Sequence, residues 1–169
     1  AARGTRAAKH ETRKGVEIFR VGGTTLNKNV IFFKLINMVT LSIAILFRAL
    51  FNFRPKDRVL VVTTPPTLPF VTAIAALLHG AHYVLVIHDN YPEILLAAGK
   101  CKEGGIIAST LNFCNRWLYK HSSKIIVVGR DMEKLVEQKT AGLDVPVSVI
   151  QNWAELETVE PTPRAENAL

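Results

Sequence analysis

His88 and Asp89 close the apolar run Tyr83-Val84-Leu85-Val86-Ile87 and open the turn Asn90-Tyr91-Pro92-Glu93. An imidazole beside a carboxylate can position a hydroxyl, share a proton or steady a developing charge. An unbroken β-prone run reads as a strand buried on both faces, as in a parallel sheet. Ligands of such sheets bind just beyond the carboxyl ends of the strands. A solvated strand-to-helix loop would carry the same two residues, so their position, more than their identity, favours a site. Three other apolar runs end in polar residues the same way. Arg58–Thr64 ends in Thr63-Thr64 and runs into the stiff loop Pro65-Pro66-Thr67-Leu68-Pro69. Lys124–Val128 leads into Gly129-Arg130, and Val145–Ile150 into Gln151-Asn152. The prolines leave their loop short of amide donors, with the Thr63, Thr64 and Thr67 hydroxyls to meet a ligand. A rigid turn with no ligand is the competing reading.

The elements that must hold these residues follow from periodicity. Val16–Val21 reads as a strand closed by Gly22-Gly23. Asn29–Phe53 reads as one long helix ended by Arg54-Pro55, and Phe70–His79 as a helix stopped by Gly80. His79 and His82, flanking that stop, read as surface histidines. Glu93–Ala98 is a short helix whose positive end Glu93 faces, with Pro92 in its first turn. Ile106–Lys120 is amphipathic, with apolar residues at 107, 111, 114 and 118 and a core Trp117. Asp131 is placed to cap a helix Met132–Thr140. Strand and helix therefore alternate, the pattern of an α/β, Rossmann-like, doubly wound and mostly parallel sheet. Right-handed crossovers would then bring the four polar strand ends to one edge. Three segments result: a basic flexible stretch 1–14, the domain 15–153, and a Pro-rich linker 154–169.

Composition narrows the classes of function. Of 169 residues, 49% are hydrophobic and 21% charged, which gives a globular chain with one substantial core. The net charge of +7 is uneven: residues 1–60 hold twelve Lys/Arg against three Asp/Glu, and residues 61–169 carry −2. A basic excess confined to one third points to an anionic partner, a membrane surface or a phosphate-bearing ligand. Zinc-finger spacing, RNP-like aromatic strands and aromatic-interleaved basic helices are absent, so nucleic acid is not expected. Cys101 and Cys114, with 12 residues between them, show no CxxC and no metal spacing, fitting reduced cytosolic thiols and no metal site. No GxGxxG, GxxxxGK[ST] or GxSxG pattern occurs, which disfavours a hydrolase and gives the glycines no nucleotide role. The helix 29–53 is apolar nearly all round. It reads as a crossover helix packing on the sheet and offering a second face to lipid, as a plain buried helix, or as a membrane span. Lys28, Phe32, Phe33, Lys34, Arg48 and Arg54 would form its membrane-docking face.

Four motifs in this order carry a resemblance. They are V-x-V-x-T-x-P-P from Val59, HD-x-YPE from His88, S-x-K-I-I-V-V-G-R-x-M from Ser122, and I-Q-N-W-A-E from Ile150. Together, over most of residues 16–160, the chain resembles the N-terminal domain of family 4 glycosyltransferases. These are retaining enzymes of the two-domain GT-B architecture, here closest to bacterial members that build exopolysaccharide or O-antigen units. The resemblance implies transfer of a sugar from a nucleotide-sugar to a glycan or polyprenyl-linked acceptor, without a metal or organic cofactor. It places the enzyme in the cytoplasm, peripheral on the inner face of the plasma membrane. By matched position, Thr64, Pro65 and Pro66 would line the cleft and His88 would contact the transferred sugar as its catalytic residue. Asp89 and Glu93 would shape the acceptor side, Gly129 and Arg130 would bind substrate, and Asn152 would sit at the hinge. The family's first strand with its Gly-rich loop is expected before residue 16, and its nucleotide-binding domain after Leu169. The family more often has Asn-Gly where Asn152-Trp153 stands. A non-catalytic α/β module that docks on a membrane or partner is the alternative.

Overall fold

The computed structural model describes residues 7–27 and 29–152. Its core is a four-stranded parallel sheet made of β-branched and aliphatic runs. In chain order the elements are β1 (His10–Arg13), β2 (Val16–Phe19), α1 (Ile31–Asn52), β3 (Arg58–Val62), α2 (Leu68–His79), β4 (His82–Ile87), α3 (Glu93–Ala97), α4 (Ile106–His121), β5 (Lys124–Val127), α5 (Arg130–Lys139) and β6 (Val147–Val149). The sheet runs β3-β4-β5-β6, all parallel, with Val62 beside Val86, Ile87 beside Val127 and Val127 beside Val149. The architecture is the α/β, Rossmann-like one that the strand–helix alternation implies.

Alternation along the strands assigns the two sheet faces. Val61, Tyr83, Leu85, Ile87, Ile125 and Val127 are buried and form one core with Ala73 and Ala76 of α2, Leu118 and Tyr119 of α4, and Val136 of α5. All three crossover helices thus lie on one face, as same-handed crossovers stepping in one direction require. The described residues hold one winding of the sheet. On its other face Leu60 is 67% exposed, and the neighbouring Val62, Val84, Val86 and Ile126 are only half-buried. Parallel sheets are normally covered on both sides; among the described residues nothing covers this one.

Several expectations need correction. Residues 10–13, inside the stretch read as loose, form β1 and pair antiparallel with β2 through a two-residue turn. Lys14 and Gly15 both have positive φ (50° and 80°), the geometry of the tight hairpin turn. Val16–Phe19 therefore belongs to this hairpin and not to the parallel sheet. Asp131 does not cap α5: the helix starts at Arg130, Gly129 is its N-cap, and no side chain caps it. The buried stripe of α4 holds Ala108, Asn115, Leu118 and Tyr119, while Ile107 is 55% exposed. The stripe turns this way because Asn115 reaches the carbonyl of Tyr91, its Nδ2 donating at 2.7 Å.

Helix α1 packs chiefly on α2 and not on the sheet. Ser42 and Ala49 are its buried residues, and Ser42 Oγ shares a 2.6 Å hydrogen bond with Thr67 Oγ1 at the start of α2. A second flank is taken by the segment after the hairpin. Thr24 bonds Asn37 and Thr40, and Leu26 exchanges two hydrogen bonds with the Asn37 side chain. Gly23 permits this approach, since a Cβ there would fall 2.9 Å from the Leu41 nitrogen. Arg48 lies 4.2 Å above the Phe19 ring, tying hairpin to helix. Trp153 and the segment 154–169 lie outside the described residues, as does Lys28.

Candidate functional site

Parallel pairing in register brings the ends of β3, β4, β5 and β6 to one edge, so Thr63-Thr64, His88-Asp89, Gly129-Arg130 and Asn152 all stand there. The register is extended past the strands by Thr63 N donating to Val86 O at 3.2 Å and Ile150 N to Val127 O at 2.9 Å. At this edge the buried Thr63 hydroxyl accepts two backbone hydrogen bonds, from His88 N and Asp89 N, each 3.1 Å long. It fixes the path of the chain as β4 ends. The exposed Thr64 hydroxyl donates to Asp89 Oδ2 at 2.8 Å, holding that carboxylate across the gap between two strand ends.

His88 and Asp89 do not act from one side. Neighbours in an extended chain point to opposite faces, and the two line different spaces. His88, exposed, and Asn152 stand at the polar end of a groove of about 310 Å³ on the open sheet face, floored by Val62, Val86, Ile126 and Val128. Asp89 lines a small cavity of about 40 Å³ on the helix face, with Thr63, Pro66, Tyr91, Asn115 and Tyr119. Such a cavity admits one or a few waters. The edge therefore offers an imidazole above one face and an anchored carboxylate above the other.

The remaining expected residues divide. Pro65 and Pro66 are half-buried; the Pro65 carbonyl accepts from Leu68 N at 2.9 Å and so starts α2. Thr67, expected to meet a ligand, is committed to Ser42 instead. Arg130 is exposed at the start of α5, and no ion pair engages it among the described residues. Gly129 is extended, with open space where a Cβ would stand, so no steric need for glycine appears there. Glu93 is engaged from below: Lys139 Nζ contacts its Oε2 at 2.6 Å and donates to the Tyr91 carbonyl at 3.2 Å. This partly buried pair ties the His88–Glu93 turn to the end of α5. Of the docking residues, Phe32, Lys34, Arg48 and Arg54 are exposed, and Phe33 is at the margin of exposure.

Burial raises the hydroxyl pKa of Tyr83 well above the ordinary range, and Tyr83 donates to the Leu118 carbonyl. Burial does the same to Tyr119, assisted by the negative charge of Glu93. Asn90 is nine-tenths buried and neither of its side-chain polar atoms has a hydrogen-bond partner among the described residues. A buried amide in that state is costly until a ligand or water satisfies it. Three contributors escape sequence reasoning: Thr63 as a double acceptor, Asn115 on the Tyr91 carbonyl, and Lys139 on Glu93. Their partners lie 24 to 46 residues away, and no local pattern announces them. Among the described residues no group of three or more His, Cys, Asp and Glu is placed to hold a metal ion.

Comparison with known proteins bears on this edge. A family model described as a glycosyl transferase 4-like domain matches residues 1–153. The probable glycosyltransferase WbjE of Pseudomonas aeruginosa is 34% identical over 115 residues, covering 67% of this chain and 28% of that protein. The chain thus spans well under a third of that relative's length. No solved structure matches.

Proposed function

The chain belongs to the family of glycosyl transferase 4-like domains, and on that premise we propose that it forms the acceptor side of an enzyme moving a sugar from a nucleotide-sugar to a glycan hydroxyl. The observation that carries the reading is the single sheet edge along which His88, the Thr64–Asp89 pair, Arg130 and Asn152 stand, on its two faces. The name of the Pseudomonas relative supports the same class of reaction.

In this transfer the bond from the anomeric carbon to the diphosphate breaks and a bond to the acceptor oxygen forms. The hydroxyl proton of the acceptor passes to the departing diphosphate. Retained configuration, with both events on one face of the sugar, is carried over from the enzymes the motifs resemble. Negative charge grows on the diphosphate and positive charge on the sugar ring, so fixed donors and cations lower the barrier. His88 would hold the transferred sugar by hydrogen bonding, a positioner more than a strong base. Front-face transfer does not need the paired carboxylates of glycoside hydrolysis. Asp89, held by Thr64 across the strand ends, would shape the acceptor side, with Pro65 and Pro66 as a stiff wall beside it. Glu93 shapes the acceptor side through its turn, and Gly129 with Arg130 offers an open backbone and a cation to substrate phosphate. Asn152 would stand at the hinge. The acceptor is a polyprenyl-linked sugar, and the work belongs to cell-surface polysaccharide synthesis at the inner face of the plasma membrane. The reading needs no metal or organic cofactor.

The test is His88→Ala in the complete gene product. Turnover should fall about 100-fold or more, the usual scale for a lost positioning contact, with the thermal midpoint unchanged. Equal turnover at equal expression would remove His88 from the site. A wild-type protein that binds glycan acceptors yet transfers no sugar from any nucleotide-sugar would leave a non-catalytic α/β module.

A further inference from the structure

We propose that the cleft between α4 and the end of α5 is a binding site for a phosphate group, separate from the residues of the sheet edge. The cleft holds about 270 Å³ and is lined by Asn112, Asn115, Arg116, Tyr119 and Lys139. All five side chains can donate a hydrogen bond, two carry positive charge, and none is a carboxylate. Four of them come from α4, at positions 112, 115, 116 and 119, the spacing that gathers residues on one helix face. A solvated helix face mixes charges of both signs. A cleft of donors alone is shaped for an anion.

These donors are incompletely used within the chain. The Arg116 guanidinium reaches only the carbonyls of Lys139 and Ala141, at 3.3 and 3.4 Å, and no carboxylate pairs with it among the described residues. Contacts of that length are longer than ordinary N–H···O bonds. Asn112 is exposed, and its amide makes no hydrogen bond among the described residues. Tyr119 is 3% exposed, yet no partner among the described residues takes its hydroxyl, which is costly for a buried group. Lys139 keeps one ammonium hydrogen beyond those given to Glu93 Oε2 and the Tyr91 carbonyl. Two cations thus face one neighbouring carboxylate, and the cleft retains positive charge.

A phosphate group is the anion this set fits. Its oxygens accept several hydrogen bonds at once, and a guanidinium fork meets two of them in parallel. A carboxylate offers only two oxygens and would leave part of the donor set unmet. The space beyond one phosphate admits the free ion or a phosphate ester. Asn115 and Lys139 also hold the Tyr91 carbonyl, so a phosphate bound between them bears on the turn that carries Glu93. Asn115 and Tyr119 further wall the small cavity that Asp89 lines. The inference does not rest on sugar transfer, because its readout is binding and not turnover.

The experiment is a titration of the isotope-labelled chain with inorganic phosphate and with methyl phosphate, followed by NMR at constant ionic strength. The Asn112 and Asn115 side-chain amides, the Arg116 Nε–H and the Ile94 amide beside Glu93 should shift together, with one midpoint. Asn112→Asp puts a carboxylate into the cleft at nearly constant shape and, at an exposed position, leaves folding intact. It and Arg116→Gln should each raise the midpoint at least about tenfold. Lys134→Gln, which removes an exposed cation of α5 outside the cleft, should leave it unchanged. A lower midpoint for methyl phosphate assigns the site to a phosphate ester; an equal or higher one assigns it to the free ion. Cleft signals that stay still at millimolar phosphate, or shifts confined to Arg130 and the sheet edge, would overturn the proposal. Full binding by both cleft variants, or an equal loss in Lys134→Gln, would overturn it as well.

Discussion

At the scale of single residues, the site depends on a threonine whose hydroxyl the sequence offers to a ligand and the structure gives to the backbone. Thr63 satisfies two part-buried backbone amides at the end of β4, so Thr63→Val leaves both without that partner. We expect a loss of about 1–3 kcal/mol in urea denaturation, together with reduced transfer as His88 loses its fixed backbone. A midpoint equal to wild type would mean that another acceptor serves those amides. The buried tyrosines make a second prediction. Tyr83 and Tyr119 stay protonated in the folded chain where an unfolded tyrosine ionises, near pH 10. The folded state then holds protons that the unfolded state loses, so their contribution is complete below pH 10 and declines as pH rises above it. The urea midpoint should fall between pH 9 and about 11, and Tyr119→Phe should blunt that fall. A wild-type midpoint flat over this range would refute it. The pair His88-Asp89 was legible as a strand end. That its members serve opposite faces was implied by extended-chain geometry, but which spaces they line depended on distant residues.

At the scale of elements, the two faces of the sheet give opposite responses to the same chemical change. Leu85 is fully buried against the helices, and Leu60 is 67% exposed on the other face. Leu85→Ala should cost about 2–5 kcal/mol, whereas Leu60→Ala should stay within about 0.5 kcal/mol in this chain. Equal losses in denaturation would show that something does cover the open face. Both leucines sit in apolar runs that read as buried on both sides, so the difference is invisible until the crossovers are seen to share one face. The helices were legible from period and stop signals: Gly80 ends α2 in a left-handed conformation, as its position implies. Helix α4 was placed correctly in the chain but its inward face was not, because Asn115 points inward to a carbonyl and Ile107 points out. Hydrophobicity alone ranks those two residues the other way.

At the scale of the whole molecule, charge and apolar surface are segregated together. The first sixty residues carry a net +9 and include the long helix, several of whose apolar residues are exposed, while the rest of the chain is near neutral. Binding to anionic vesicles should therefore weaken with salt, as screened surface charges do. Lys34→Gln/Arg48→Gln/Arg54→Gln should weaken it in the same direction, as measured by sedimentation with vesicles. Unchanged sedimentation would reject docking through these cations. The sequence by itself determined the α/β class, the strand ends that could bear chemistry, and the family to which their motifs point. Each of these rests on local patterns: a run of β-branched residues, a proline-rich turn, a glycine stop. Only the tertiary structure decided that Val16–Phe19 leaves the sheet for a hairpin, that α1 leans on α2, and that Glu93 is held by Lys139. Those outcomes turn on which surfaces meet across tens of residues, and a chain's local propensities do not encode the partner of a face, only that the face wants one.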